Sequence, residues 1–304
     1  MANKESDIPT ENWLVKHTPK NWHPFIRLAR FDRPIGTWLL LFPCWWSLSM
    51  ATRNFLLVHE IIYLFTIFGI GALVMRGAGC TYNDIIDRNF DSKVSRTKSR
   101  PLPSGEVTLN KAICFLGVLI IIGFLILSTL NNNAILVGVL SLILVFTYPF
   151  MKRITFWPQL FLGFTFNWGV LLAWAAVKEE ISFTAVLLYF GGIFWTLGYD
   201  TIYAHQDRID DPDAGIKSTA RILGLGSKPW LFLFYLVALI FFICAGLTLG
   251  ISWPFYFGLT LGAVQLLWQV WDLELNSPKD CLAKFKSNRL FSWLFLGGIL
   301  ASHF

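Results

Sequence analysis

Charge is scarce in this sequence. Only 14% of its 304 residues are Asp, Glu, Lys or Arg, and the mean hydropathy is +0.56. That excludes an ordinary soluble globular enzyme. Five cysteines (Cys44, Cys80, Cys114, Cys244 and Cys281) show no C-x-x-C spacing, and there are only five histidines. A thiol redox centre and a zinc site therefore have no framework, and four of the cysteines read as packing residues in apolar helices. The first thirty residues lack a continuous apolar stretch, so no cleaved signal peptide is expected there. Glu5, Asp7 and Glu11 argue against a mitochondrial transit peptide, which is poor in acids. No Ser, His and Asp arrangement for nucleophilic catalysis stands out either.

Long apolar runs are plentiful. A helix needs about 20 apolar residues to cross a hydrocarbon core about 30 Å thick, and backbone groups inside lipid must pair within the segment. Nine such runs are expected to be helices: 34–52, 60–82, 111–130, 133–151, 156–177, 183–203, 229–249, 251–271 and 288–304. The expected fold is all-α, a polytopic membrane protein, with residues 1–33 a cytoplasmic or interfacial segment and 34–304 one membrane domain. In "NWHPFIRLARFDRP", Trp22, Phe25, Ile26 and Phe31 suit the headgroup layer of the lipid bilayer. Lys and Arg test the count of nine, because they collect on the cytoplasmic side of short loops. With the N-terminus inside, 22 of the 25 fall on the inner side, leaving Arg53, Lys178 and Arg76. The net charge of +6 then reflects topology and anion binding rather than nucleic acid. A bacterial inner membrane with a cytoplasmic site fits best.

The charges that remain are concentrated. At 100° per residue, Asn83, Asp87 and Asp91 share one helical face with Arg76, while Asp84 points elsewhere. Asp200, Asp207 and Asp211 repeat this at the end of the sixth run, so that Asp87-Arg88-x-x-Asp91 and Asp207-Arg208-x-x-Asp211 align as D-R-x-x-D. Asp210 and Asp213 point away. Two related halves facing a cavity would bring the carboxylates together, and they would need counter-charge. Oxygen-only donors suit Mg²⁺, which keeps waters and bridges to substrate phosphates. Arg96, Lys98, Arg100, Lys217 and Arg221 are cations in reach of phosphate oxygens that a metal leaves open. A metal-held diphosphate at a membrane surface implies a lipid-tailed substrate, and diphosphate loss from an allylic carbon leaves a carbocation for an electron-rich acceptor.

The segments "NDIIDRNFD", "SRTKSRPLPSG" and "YDTIYAHQDRIDD…GIKSTA" resemble the signatures of the UbiA family of intramembrane aromatic prenyltransferases. "RFDRPIGTWLL" and "YPFMKR" resemble the branch of that family that acts on 4-hydroxybenzoate, so the similarity runs over about residues 27–225. The resemblance implies nine transmembrane helices around a central cavity capped by cytoplasmic loops. It implies that Asn83, Asp87 and Asp91 form a first Mg²⁺–diphosphate motif and Asp207 and Asp211 a second. Asp200 would line the cavity near the acceptor, and Arg88 and Arg153 would hold the acceptor carboxylate or the diphosphate. The implied reaction joins a polyprenyl chain from polyprenyl diphosphate to the carbon ortho to the hydroxyl of 4-hydroxybenzoate, as in ubiquinone biosynthesis. Two alternatives stay open: a UbiA-type transferase with another acceptor, and a cation or anion transporter with intramembrane acids along its path.

Overall fold

The computed structural model describes residues 13–52, 57–92, 97–209, 211–212 and 215–304. Arg96, Asp210 and Asp213 lie outside the described residues. Among those described there is no strand. Short helices α1 (Trp13–His17) and α2 (His23–Leu28) precede α3 (Ile35–Ala51), α4 (Val58–Asp91), α5 (Leu109–Leu127) and α6 (Asn132–Ile154). Next come α7 (Pro158–Lys178), α8 (Phe183–Ala204), short α9 (Thr219–Leu223), α10 (Ser227–Thr248), α11 (Trp253–Asp272) and α12 (Pro278–Ala301).

Each of the nine apolar runs falls on a helix. Among the described residues, six segments are long and apolar enough to cross a membrane: α4, α5, α6, α7, α8 and the stretch Thr219–Thr248 that includes α10. These make the chain an integral membrane protein. Helix α3 is apolar but has 17 residues, and α12 carries Lys279, Lys284, Lys286 and Arg289 in its first half. Helix starts follow local chemistry. Thr108, Asn131, Ser182 and Ser277 each accept a backbone N–H three residues on, as N-caps do.

Three boundaries differ from expectation. Helix α4 continues to Asp91 over 34 residues, about 50 Å at 1.5 Å per residue, well beyond a hydrocarbon core. Hydropathy ends at residue 82, but the i→i−4 ladder does not need apolar side chains to continue. Helix α12 begins ten residues before its apolar run, so its cations sit on the helix rather than in a loop. Helix α6, expected to end at residue 151, contains Pro149 and runs to Ile154, placing Lys152 and Arg153 in its last turn. A proline inside a membrane helix is tolerated when neighbouring groups satisfy the freed carbonyl.

The chain forms two compact units, Met1–Thr37 with Gly69–Thr129, and Trp38–Phe68 with Leu130–Phe304. In the first, α2 packs on α5 and the loop before it. Phe25 packs with Leu28, Val107 and Ala112, Ile26 is buried, and Phe31 lies against Gly77. Trp22 alone of the four expected interfacial residues is exposed. The core of the second unit is aromatic. Trp46 is fully buried among Trp195, Phe242, Phe291 and Phe295, with ring centroids 5.0–6.0 Å away, and its Nε1 donates to Ser292 O at 3.2 Å.

Helices α11 and α12 touch through their backbones at Gly258 and Gly298. A Cβ on Gly258 would lie 2.6 Å from the Gly298 Cα and 2.7 Å from Leu294 O. Small residues allow this approach where lipid supplies no hydrophobic drive between helices. Gly258→Ala should therefore lower the melting temperature in detergent, at a cost of about 1–3 kcal/mol for overpacking against backbone. Gly297→Ala, with nothing within 4 Å of the added methyl, should be neutral or mildly stabilising. Equal melting of both variants would contradict this contact.

Candidate active site

In the first unit the site is built on the last two turns of α4. Asp87 is fully buried and Asp91 nearly so, while Asn83 is half-buried. Asp84, off the shared face, is also fully buried. Its two carboxylate oxygens accept from Arg30 Nη2 at 2.8 and 2.9 Å. Arg100 Nη1 donates to Asp84 Oδ1 at 3.3 Å and to Asp91 Oδ2 at 2.8 Å. Thr97 Oγ1 donates to the Asp91 carbonyl at 2.9 Å, and Arg100 N to Thr97 O at 2.9 Å. The segment "SRPLPSG" thus folds back onto the end of α4 and carries Arg100 to it. Two turns earlier on the same face, Arg76 lies over Gly36, where a Cβ would meet its Nε at 2.5 Å. Gly36 leaves room for a guanidinium inside an apolar span.

Not every expected cation joins this group. Lys98 is exposed. Arg88 is exposed and turns back to donate to Ile85 O at 3.0 Å. Its side chain leaves α4 about 100° from Asp87, as the residue next in sequence must.

In the second unit, α8 ends at Ala204, so Asp200 is helical but Asp207 and Asp211 are not. The expected common helical face is therefore not formed. Residues 205–209 are turns, with Asp207 N donating to Ala204 O at 3.3 Å and Arg208 N to His205 O at 3.4 Å. Pro212 disfavours α geometry at the residue before it, Asp211. The two D-R-x-x-D segments match in sequence and differ in conformation.

"GIKSTA" positions this turn. Ser218 Oγ donates to Asp211 Oδ2 at 3.4 Å, and Asp211 N to Asp207 O at 2.8 Å. Thr219 N donates to Gln159 Oε1 at 3.0 Å, and the Thr201 and Thr219 hydroxyls bond at 2.7 Å. Lys217 joins the end of α6. Its backbone N donates to Lys152 O at 2.8 Å, its Nζ to Ile154 O at 3.1 Å, and it lies over the Phe156 ring. Arg221 also lies over Phe156 and bonds Ile216 O. Arg153, half-buried, stacks over Phe150. "YPFMKR" and "GIKSTA" are thus neighbours.

Sequence periodicity missed three residues that hold the turn. Gln159 anchors Thr219, as above. Arg208 Nη2 donates to Asn276 Oδ1 at 3.0 Å, tying the turn to the α11–α12 loop. His205 is buried, and its Nε2 lies 2.9 Å from Ser227 Oγ. That hydroxyl gives its one proton to Gly224 O at 2.7 Å, so His205 Nε2 is the donor. Burial, helped by Arg208, pushes the imidazole pKa down to about 4, so it is neutral at physiological pH.

Among the described residues, no group of three or more His, Cys, Asp or Glu is arranged to hold a metal ion by itself. Asn83, Asp87 and Asp91 in the first unit, and Asp207 and Asp211 in the second, offer oxygen donors only, two carboxylates per motif. That set suits Mg²⁺, which takes one or two carboxylates and completes its shell with waters and substrate phosphates. It does not suit zinc.

The UbiA prenyltransferase family pattern matches residues 40–296. The 4-hydroxybenzoate polyprenyltransferase, mitochondrial, of Arabidopsis thaliana is 46% identical over 96% of this chain and 72% of its own length. Its namesake in Caenorhabditis elegans is 45% identical over 97% of this chain and 83% of its own. A UbiA homolog from Aeropyrum pernix K1 superposes with a TM-score of 0.72 at 23% identity, covering 87% of this chain and 97% of that one. A UbiA homolog from Archaeoglobus fulgidus bound to GPP and Mg²⁺ superposes at 0.66 and 16% identity, covering 92% and 99%. The two archaeal structures share the fold. Long signature segments, an integral-membrane helical fold and a match over most of the length agree: the chain belongs to the UbiA prenyltransferase family.

Proposed function

We propose that this protein transfers a polyprenyl group from polyprenyl diphosphate to the carbon ortho to the hydroxyl of 4-hydroxybenzoate, releasing diphosphate, in ubiquinone biosynthesis. The observation that carries this is Asp87, a carboxylate fully buried at the polar end of an apolar helix and in register with Asn83 and Asp91. Curated relatives alike over nearly the whole chain bear the name of this activity. The named relatives are prenyltransferases rather than transporters, and another acceptor is the alternative that an acceptor screen separates.

In this reading nine helices cross the membrane, residues 34–304 act as one domain, and both motifs face the same inner side. Asn83, Asp87 and Asp91 take one end of the diphosphate, and Asp207 and Asp211 the other, with Mg²⁺ the proposed ion. The bound ion would supply charge neutralisation for the departing diphosphate. Arg96, Arg100 and Lys217 are the cations assigned to its remaining oxygens, and Lys98, exposed like Arg88, is left out. The allylic C–O bond breaks with its electron pair leaving on the diphosphate. The ortho carbon of the phenol, electron-rich through its oxygen, supplies the pair for the new C–C bond, and loss of the ring proton restores aromaticity. Asp200, half-buried at the end of α8, is assigned to the acceptor end of the cavity. A bacterial inner membrane is the proposed compartment, with the site cytoplasmic. The curated relatives named above are mitochondrial.

Incubating the purified protein with 4-hydroxybenzoate and a polyprenyl diphosphate should give a carbon-prenylated benzoate by mass spectrometry. Formation should stop in excess chelator and resume with Mg²⁺. Product in full yield under chelation, or none with the ion restored, would refute the proposal.

The acceptor carboxylate is assigned to Arg153 in the last turn of α6, because Arg88 is exposed off the motif face. A guanidinium holds a carboxylate through two parallel hydrogen bonds, and an ammonium does not. Arg153→Lys should raise the KM for 4-hydroxybenzoate at least tenfold, roughly 1.4 kcal/mol, and leave the KM for the polyprenyl diphosphate unchanged. A rise in the diphosphate KM alone would move Arg153 to the leaving group. No change in either would move the carboxylate to another cation, Arg76 first.

A further inference from the structure

Arg30 is a departure from local rules. Helix α2 ends in a Schellman arrangement: Phe31 N donates to Ile26 O at 3.0 Å and Arg30 N to Arg27 O at 3.2 Å. The residue at the turn, Arg30, has φ +59°, a left-handed conformation in which glycine is the usual occupant. A residue with a Cβ costs about 1–2 kcal/mol there. The side chain occupying this position is put to use. Arg30 Nη1 donates to Arg27 O at 2.9 Å, which sets the guanidinium, and Nη2 meets both oxygens of Asp84.

Asp84 is the second half of the device. It is fully buried, its carboxylate receives Arg30 on both oxygens, and Oδ1 also receives Arg100. A buried carboxylate must be paired to remain ionised. Arg30 meets both of its oxygens, so Asp84 does not draw Arg100 wholly to itself. Arg100 Nη1 spans Asp84 at 3.3 Å and Asp91 at 2.8 Å. One nitrogen with two hydrogens is thus fixed between a carboxylate off the motif face and one on it.

We propose that Arg30 and Asp84 are positioning residues for Arg100, holding its guanidinium against Asp91 so that it meets the diphosphate at the first motif. This rests on the proposed function and deepens it. Asp84, though it neighbours Asn83, is then no metal ligand. The stretch "RFDRP" serves the site through its first arginine, and strain at Arg30 is retained because glycine there would leave Asp84 without its main partner.

The test is the affinity of the detergent-purified protein for inorganic pyrophosphate in Mg²⁺, measured by calorimetry. Arg30→Gly removes the whole side chain, guanidinium included, but suits the left-handed turn and so keeps the local backbone. Arg30→Gly and Asp84→Asn should each weaken pyrophosphate binding at least tenfold, and neither should weaken it further in an Arg100→Gln background. Asp84→Asn serves as the second route if Arg30→Gly fails to fold, and the reverse holds equally. Equal losses with and without Arg100 would show that Asp84 or Arg30 acts on its own, and would overturn the proposal. So would unchanged affinity in the single variants, or a wild type that binds no pyrophosphate. Coupled losses in a protein that transfers no prenyl group to 4-hydroxybenzoate would remove the proposed function and leave this inference standing.

Discussion

The organising constraint is the charge on carboxylates that the fold takes out of water. An ionised carboxylate without partners in a low-dielectric setting costs several kcal/mol, yet Asp84 and Asp87 are fully buried and Asp91 and Asp211 nearly so. Each described arrangement around them answers that cost. Arg30 and Arg100 neutralise Asp84, Arg100 reaches on to Asp91, and Ser218 donates to Asp211. The docking of α2, the fold-back of "SRPLPSG" and the anchoring of "GIKSTA" all bring a donor to one of these groups. An enzyme that removes a diphosphate uses the same property in its function. Carboxylates kept charged at the edge of an apolar region gain most from a cation, and a metal bridging to phosphate supplies one.

The two motifs reach this state by different local means. The first stays helical to Asp91, so its register follows from the 3.6-residue repeat and its cation comes from a loop. The second leaves the helix at Ala204 and depends on turns. Its shape is set from outside by Gln159 on α7, the α6 carboxyl end at Lys152 and Ile154, and Asn276 between α11 and α12. Neutral His205 adds a hydrogen bond to Ser227 without a further charge. The carboxyl-terminal eighty residues, outside the signature segments but inside the family match over residues 40–296, enter the site through Asn276.

Hydropathy made the apolar helices legible, because lipid leaves a spanning backbone no other way to satisfy itself. It misplaced the ends of α4 and α12, since a helix continues into water for as long as its own ladder is favourable. Periodicity put Asn83, Asp87 and Asp91 on one face of α4, but it extended the same rule to Asp207 and Asp211, which lie beyond the end of α8 at Ala204. It was silent on Arg30 and Asp84, 54 residues apart, because a long-range ion pair leaves no mark in local spacing. A cation-rich stretch also does not say which cation turns inward. Arg100 does, whereas Lys98 and Arg88 are exposed.

The central proposal is that each motif binds the same diphosphate. Electron paramagnetic resonance of the protein loaded with Mn²⁺ and pyrophosphate tests it most directly, because ions that share a phosphate bridge lie about 4 Å apart and couple magnetically. The account predicts a spin-coupled signal that appears only with pyrophosphate and is lost in Asp87→Ala and in Asp207→Ala alike. Uncoupled Mn²⁺ signals in the presence of pyrophosphate, or a coupled signal that survives either substitution, would contradict it.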